Sequence, residues 1–280
     1  YLIIVDGSEK EWPVRKEFKG NYLHLPGVSF RERLIAGIEQ SQSDLSVLCA
    51  DDDFLVPAGL EKCTEFLRKN LDYSCAQGYY GRFVIDGWED ISYKQKHAGA
   101  RSIVDNYYLD RVKKAFIPKY IPHVYAVHRR KNLEQVLDCQ EMNEFEYIFN
   151  FEMLLTILSL MDGKAKRLPV IYNFREMENN KVGISNNNLN TEKIKSALTA
   201  FSAYSKRLAE NQGNKNDFLR LINTAVDNLM EYHLFHYNNS ISKKSNIKTN
   251  SNNIMLYLSK LKQQAAWLKK VKEIIYVLKM

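Results

Sequence analysis

Asp51, Asp52 and Asp53 form the only run of three acidic residues in this 280-residue chain. They follow residues 44–50, whose apolar pattern predicts a buried strand. Neighbouring carboxylates repel one another unless a cation or hydrogen-bond donors neutralise them. Mg²⁺ and Mn²⁺ prefer such oxygen ligands together with substrate phosphates. Because alternate side chains of an extended segment share a face, we expect Asp51 and Asp53 to converge on one metal ion. The alternative is an acidic cluster ahead of a helix start.

A single carboxylate, Glu152, lies inside a second apolar segment. Residues 145–161 are apolar nearly all round, which indicates a buried helix. An ionised carboxylate is costly in such surroundings, so we expect the pKa of Glu152 to rise. A carboxylate of this kind is a candidate general base. The alternative is a structural role, in which Glu152 pairs with Lys166, Arg167 or Arg175.

Asp6 closes the first apolar run of the chain. Residues 2–5 are β-branched or aliphatic, and Asp6-Gly7-Ser8 follows them. This pattern is typical of a buried strand that enters a loop. An ordinary strand-ending turn explains the same pattern.

The segments around these acids predict an α/β fold. Ser29 and Glu32 form a capping box for a helix over about 30–40, and Pro57 pre-sets the start of another helix after the aspartates. The resulting alternation of strands and helices predicts a mainly parallel sheet with helices on its faces. Ligands of such sheets bind beyond the carboxyl ends of the strands, where these acids lie.

The stretch Val47 to Pro57 (Val-Leu-Cys-Ala-Asp-Asp-Asp-Phe-Leu-Val-Pro) resembles the strand and Asp-x-Asp signature of family 2 glycosyltransferases, which have the GT-A fold. By this resemblance, Asp53 binds the divalent metal that bridges the diphosphate of the nucleotide, and Asp51 or Asp52 assists. Residues 4–8 are similar to a strand ending of the same family. That similarity implies that Asp6 contacts the nucleotide.

One downstream position extends the resemblance. Glu152 precedes Gly163 by eleven residues, the spacing at which the family places its base, although Phe151-Glu152 replaces the usual Glu-Asp pair. Glu144 and Glu146 are the substitutes if the register differs. Arg175, which follows the last strand of the family-like region, is a candidate contact for the diphosphate, and simple solvation is the alternative for it.

The resemblance implies an inverting, metal-dependent glycosyltransferase. Its donor would be a nucleotide-sugar, most simply a UDP-sugar, used with Mn²⁺ or Mg²⁺. Its acceptor would be a hydroxyl of a glycan or lipid-linked glycoconjugate, in surface polysaccharide synthesis. Residues 1–178 would form the catalytic domain. The family's first strand has no counterpart before Tyr1, so either the natural chain begins earlier or the nucleotide pocket is built differently.

The remaining residues differ in composition from this region. Residues 179–237 predict a helical extension with helices near 191–211 and 215–237, and the polar residues 238–253 predict a flexible linker. Residues 254–280 have the pattern of a basic amphipathic helix. Such a helix either lies on an anionic membrane surface or packs against the domain or a second copy of the chain.

Composition narrows the class of protein further. The net charge of +7 favours anionic partners, but the basic residues are spread along the chain without a nucleic-acid motif, so we expect no nucleic acid among them. The four cysteines lack a paired spacing, which favours a cytoplasmic location, with peripheral association at the inner face of the cell membrane as a further expectation. Two rival functions stay open. One is a sugar nucleotidyltransferase, and the other is a non-catalytic scaffold that binds membrane or a partner through its basic end.

Overall fold

The computed structural model describes residues 2–13, 19–86, 90–94, 101–176, 190–210, 213–246 and 274–279. The strands of this part of the chain are β1 (Leu2–Asp6), β2 (Asn21–His24), β3 (Leu45–Ala50), β4 (Asp53–Leu55), β5 (Tyr73–Asp86), β6 (Asp90–Lys94), β7 (Val127–Arg129), β8 (Lys164–Glu176) and β9 (Ile274–Lys279). The helices are α1 (Phe30–Glu39), α2 (Pro57–Lys69), α3 (Tyr108–Phe116), α4 (Arg130–Leu137), α5 (Glu144–Asp162), α6 (Thr191–Glu210) and α7 (Lys215–Asn246).

The strands form one mixed sheet in the order β2-β1-β9-β3-β7-β5-β8-β4, with β6 paired to β5. Of the eight strand pairs among the described residues, only β1–β2 and β5–β8 are parallel. The predicted mainly parallel sheet of GT-A type is therefore wrong. The prediction assumed that successive strands pair side by side after each helix, whereas β9 and β7 separate strands that run in the same direction.

The C-terminal part departs from the sequence prediction at two places. Helix α7 continues to Asn246, so residues 238–246, predicted as linker, are helical. Residues 274–279, predicted as the end of an amphipathic helix, form β9 and pair with both β1 and β3. The run Ile-Ile-Tyr-Val-Leu is β-branched and aromatic, and its tertiary pairing outweighs the helical spacing of its apolar residues. Residues 247–273 lie outside the described part of the chain.

Local signals predicted the starts of several helices correctly. The Ser29 hydroxyl accepts from the Glu32 amide, and the Glu32 carboxylate accepts from the Ser29 amide, which completes the capping box of α1. Helix α2 begins at Pro57, as predicted. Helices α6 and α7 occupy the two segments expected to be helical, and none of the described helices is long and apolar enough to cross a membrane.

Two apolar clusters lie on the two faces of the sheet. Neighbouring residues of β3 belong to different clusters. Leu48 belongs to the larger cluster with α1 and α3–α7, whereas Val47 belongs to the smaller cluster beneath α2. Helix α5 supplies the centre of the larger cluster, where Leu154 is fully buried. Helix α2 approaches β8 closely, because a Cβ on Gly59 would lie 2.3 Å from a backbone carbonyl of that strand.

Candidate active site

The aspartate triplet lies where the chain passes from β3, in the middle of the sheet, to β4, at its edge. Asp51 and Asp52 form a turn after β3, and Asp53 is the first residue of β4. The triplet is therefore not extended, and the argument that Asp51 and Asp53 share a strand face is wrong. In the alternative, the acids lie just ahead of a helix; here β4 and Val56, which caps α2 without a side-chain hydrogen bond, separate Asp51 and Asp52 from Pro57.

Asp53 forms an ion pair with Arg175. Strands β4 and β8 are antiparallel and place the two residues opposite each other, so their side chains share one face of the sheet. Arg175 Nε lies 3.3 Å from Asp53 Oδ2. The Asp53 side chain is only 4% exposed, whereas that of Arg175 is 40% exposed. Arg175 therefore neutralises a buried carboxylate and still reaches solvent.

Tyr125 completes the contacts of this guanidinium. Arg175 lies over the Tyr125 ring, with 4.6 Å between the guanidinium carbon and the ring centroid, as in a cation–π interaction. Burial raises the pKa of Tyr125, and the nearby Arg175 opposes that rise. Burial by itself lowers the pKa of Arg175, but the surrounding Tyr125, Asp53 and Glu152 outweigh it, so the pKa of Arg175 is raised.

Glu152, in the middle of α5, interacts electrostatically with the same guanidinium. It is partly buried, and loss of water raises the pKa of its carboxyl, while Arg175 lowers it. The direction agrees with the sequence prediction. Of the three cations considered as partners, Arg175 is the one that acts on Glu152. Arg175 of β8 thus pairs with Asp53 of β4 and acts electrostatically on Glu152 of α5.

A second tyrosine, Tyr120, lies near Glu152. Thr156 donates from its hydroxyl to the Glu152 carbonyl at 2.9 Å, and the Tyr120 hydroxyl lies 3.0 Å from the same Thr156 oxygen. Burial raises the pKa of Tyr120, and the charge of Glu152 adds to that rise. Neither Tyr120 nor Tyr125 was singled out among the seventeen tyrosines of the sequence, because only tertiary contacts bring them here.

Asp6 lies at the carboxyl end of β1, and it stabilises the loop that follows this strand. Its Oδ1 accepts from the Ser8 amide at 2.9 Å and from the Ser8 hydroxyl at 2.6 Å, and its Oδ2 accepts from the Tyr22 hydroxyl. Burial, followed by the bond to Asp6, raises the pKa of Tyr22 to about 12. Because β9 separates β1 from β3, Asp6 and Ala50 lie two strand spacings, or roughly 10 Å, apart.

Gly7 leaves room for an arginine at this edge. A Cβ at position 7 would lie 1.6 Å from Nη1 of Arg33, so the guanidinium packs directly against the loop backbone. This contact was not predicted, because Arg33 belongs to α1 and has the sequence pattern of an ordinary solvated helix residue. It places a second positive charge near the carboxyl ends of β1 and β3.

The two substitute bases do not belong to this group. Glu144 accepts from the Phe30 amide at 3.0 Å, which ties the start of α5 to α1. Glu146 completes the capping box of α5 with Asn143 and accepts from the Ser196 hydroxyl at 2.5 Å. Both carboxylates therefore stabilise the first turn of α5, whereas Glu152 lies two turns further along the helix.

The carboxylates do not form a metal cage as they are arranged. Asp53 faces a guanidinium, Asp52 is exposed and Asp51 is partly buried in the turn. Within the described ranges, no group of three or more His, Cys, Asp or Glu side chains is placed to hold a metal ion. Metal binding by Asp51 and Asp53 stays a prediction.

Other polar groups have structural roles. A surface cavity of about 450 Å³ lies at the opposite end of β3, lined by Asp44, Arg68 and Arg129 among others. Arg129 donates to the carbonyls of Leu67 and Asn70 and so caps the end of α2.

All four cysteines are free and buried, and burial raises the pKa of the Cys49, Cys63, Cys75 and Cys139 thiols.

No family model matches this chain, and no curated protein matches it significantly. Its function is therefore argued from the geometry of its own residues.

Proposed function

We propose that the chain is an inverting glycosyltransferase that moves a sugar from a nucleotide-diphosphate donor to an acceptor hydroxyl. One observation carries the proposal, namely the Arg175 guanidinium of β8, which pairs with Asp53 of β4 and interacts electrostatically with Glu152 of α5. A single inverting displacement needs a base near the acceptor hydroxyl and positive charge near the leaving diphosphate. Glu152 and Arg175 supply these two functions within one cluster.

Glu152 is the proposed base. A partly buried carboxylate with a raised pKa accepts a proton more readily than a solvated one, which suits proton removal from a sugar hydroxyl. Its place in the middle of α5 holds it rigidly, since Leu154 and Leu155 beside it are fully buried. The proton passes from the acceptor oxygen to the Glu152 carboxylate as that oxygen bonds to the anomeric carbon.

Arg175 is the proposed cation for the leaving diphosphate. A guanidinium binds phosphate oxygens in a bidentate manner, and it keeps its charge throughout the reaction. The Tyr125 ring supports its flat face, while the exposed part of the side chain is accessible to a ligand. Negative charge that develops on the diphosphate oxygen is stabilised as the bond to the sugar breaks.

The finer assignments rest on the resemblance of residues 47–57 alone. They are a UDP-sugar donor, a glycan or lipid-linked acceptor, surface polysaccharide synthesis, and a Mn²⁺ or Mg²⁺ cofactor. The metal stays a prediction, because no group of three or more His, Cys, Asp or Glu side chains in the described ranges is placed to hold one.

Two measurements test the proposal. The first follows the melting temperature of the full chain with UDP, in chelator and in Mn²⁺, because a bound ligand stabilises the folded state. The second follows release of UDP from a panel of UDP-sugars. We expect UDP to raise the melting temperature and at least one donor to be hydrolysed.

A pair of variants assigns the base. Glu152→Gln should lose transfer by about 10²- to 10⁴-fold while UDP still stabilises the protein. Glu144→Gln is the matched control, because glutamine keeps an oxygen that accepts from the Phe30 amide. Full activity of Glu152→Gln would refute the assignment, and no stabilisation by UDP would refute the proposed function.

A further inference from the structure

Arg167 of β8 has a buried guanidinium without hydrogen bonds. Its Nε, Nη1 and Nη2 are covered, and within the described part of the chain none of them has a hydrogen-bond partner. The guanidinium lies over the Tyr79 ring, with 4.7 Å between its carbon and the ring centroid. By comparison, the buried Arg111 donates to four backbone carbonyls. A covered cation loses its hydration, and the face of one ring replaces only part of that loss.

No described carboxylate compensates the charge of Arg167. Burial lowers the pKa of this guanidinium, and among the described residues only Tyr79 and Tyr80 oppose the lowering. The nearby His123 adds no negative charge. Burial lowers the pKa of its imidazole to about 4, and the charge of Arg167 contributes to this lowering. Arg167 therefore keeps an uncompensated positive charge beside a neutral histidine.

A second polar atom close to Arg167 also lacks a partner. Nδ1 of His123 is buried, and no described group forms a hydrogen bond with it. A hydroxyl can pair with this nitrogen in either imidazole tautomer, because a hydroxyl both donates and accepts. Buried polar groups of folded proteins are nearly always hydrogen-bonded. Two exceptions that interact with each other therefore indicate a position for a polar ligand.

This position is next to the proposed donor site but separate from it. Tyr80 of β5 acts on the pKa of both Arg167 and Arg175. Their partners in the strand register, Gln77 and Arg82, are five positions apart, which is roughly 16 Å along β5. The two phosphates of one diphosphate share a bridging oxygen and are much closer together than that. Arg167 is therefore available to a different negative group.

The side chain of Arg167 can reach such a group. The residue as a whole is only partly buried, and its flexible stem lets the guanidinium turn outward. A guanidinium binds a phosphate or a carboxylate through two parallel hydrogen bonds. An oxyanion would thus supply both the charge and the hydrogen bonds that the described residues do not give Arg167.

We propose that Arg167 and His123 bind the acceptor, and that the acceptor is a sugar with a phosphate or carboxylate close to a free hydroxyl. The inference rests on the proposed function and adds the class of acceptor to it. The oxyanion pairs with Arg167, a neighbouring hydroxyl of the same sugar pairs with Nδ1 of His123, and the donor diphosphate stays with Arg175. A neutral sugar lacks the group that Arg167 requires.

Isothermal titration calorimetry of the full chain, with UDP present to occupy the donor site, compares glucose 6-phosphate, glucuronate and glucose. At least one anionic probe should bind at least about tenfold more tightly than glucose, and Arg167→Gln should lose this advantage. Arg68→Gln is the matched control, because it removes the same charge from an exposed arginine of α2, and it should bind like the wild type. The two anionic probes distinguish a phosphate from a carboxylate.

The stability of the ligand-free protein gives an independent readout. Arg167→Met keeps most of the side chain over Tyr79 but removes the uncompensated charge. We expect it to raise the melting temperature by about 2–4 °C, because an unpaired buried charge destabilises the folded state. An arginine with a purely structural role would give a lower melting temperature. Arg167→Met should also bind the anionic probe about tenfold less tightly, so it replaces Arg167→Gln if that variant does not fold.

Three results would each overturn the inference. They are equal binding of glucose and both anionic probes, unchanged anion affinity in the Arg167 variants, and a lower melting temperature of Arg167→Met. Failure of the proposed function is a different result, because UDP would then not stabilise the wild type. Failure of this inference alone leaves that stabilisation intact.

Discussion

The ion pair between Asp53 and Arg175 should couple strongly in a double-mutant cycle. Unit charges 3.3 Å apart attract by about 5 kcal/mol at an effective dielectric constant of about 20. Arg175 is 40% exposed, so water screens one side of the pair and reduces this value. We expect a coupling free energy of about 1–3 kcal/mol, between the values of surface pairs and of fully buried pairs.

The cycle compares the wild type with Asp53→Asn, Arg175→Gln and the double variant, each unfolded in urea. Arg175→Gln should lose about 2–3 kcal/mol of unfolding free energy, because it removes a cation paired with the buried Asp53 carboxylate. The double variant should be more stable than the sum of the single losses predicts, because a neutral asparagine needs no counter-ion. The urea m-value should stay constant, which shows that the same surface is exposed in each variant.

The reasoning has a definite point of failure. A coupling free energy below about 0.5 kcal/mol would mean that the pair behaves as an ordinary surface contact. In that case Arg175 would not be the counter-ion of Asp53. A cycle on Lys131 and Asp162, an exposed pair, gives the reference value for this protein.

Three further predictions concern stability and pH. Because folding raises the pKa of Glu152, the folded state binds this proton more tightly, and unfolding free energy should fall as pH rises from 4.5 through the raised pKa. Urea titrations across this pH range should show that Glu152→Gln lacks the fall in unfolding free energy. An identical pH dependence in the wild type and the variant would argue against burial of the carboxyl. Gly59→Ala should cost about 1–3 kcal/mol in thermal denaturation, because its Cβ meets a carbonyl of β8 at 2.3 Å. Gly213→Ala has nothing within 4 Å of its Cβ and should be nearly neutral. Leu154→Ala should lower the free energy of unfolding by about 2–5 kcal/mol. Ile148 is 41% exposed on the same helix, so Ile148→Ala should lower it by less than about 1 kcal/mol. Similar losses for the two variants would show that α5 is not packed as described.

Signals confined to a few neighbouring residues predicted the helices well. The capping box of Ser29 and Glu32 and the proline at position 57 each act within one helical turn, so their effect does not depend on the rest of the fold. The apolar circumference of residues 145–161 likewise identified α5 as a buried helix. These features could be read without knowing which strands pair.

Pairing of distant strands was beyond such reasoning. The prediction of a mainly parallel sheet used the order of elements along the chain, and this order does not reveal that β9 lies between β1 and β3. The helical spacing of apolar residues near the C-terminus was compatible with a strand as well, because a short apolar run has no decisive period. Tertiary pairing decided between the two.

The candidate site was predicted in part. The resemblance singled out Asp53 and Glu152, Arg175 was a separate candidate contact for the diphosphate, and the structure pairs Arg175 with Asp53. It did not predict that Arg175 would contact the presumed metal ligand, because that contact depends on the register of β4 against β8. Tyr125 was missed because it is one of many tyrosines, and its contact with Arg175 depends on the fold of a turn.

The position of β9 has a consequence for synthesis of the protein. Ile3 pairs with Val277, so this contact joins residues about 270 positions apart, and β1 cannot complete its pairing until β9 has been translated. At about 5–20 residues per second, the nascent chain carries two unsatisfied strand edges, on β1 and β3, for roughly 15–50 s. Edges of this kind bind other extended chains. During those seconds the growing polypeptide is most vulnerable to aggregation, and a chaperone that covers exposed strands would improve its yield.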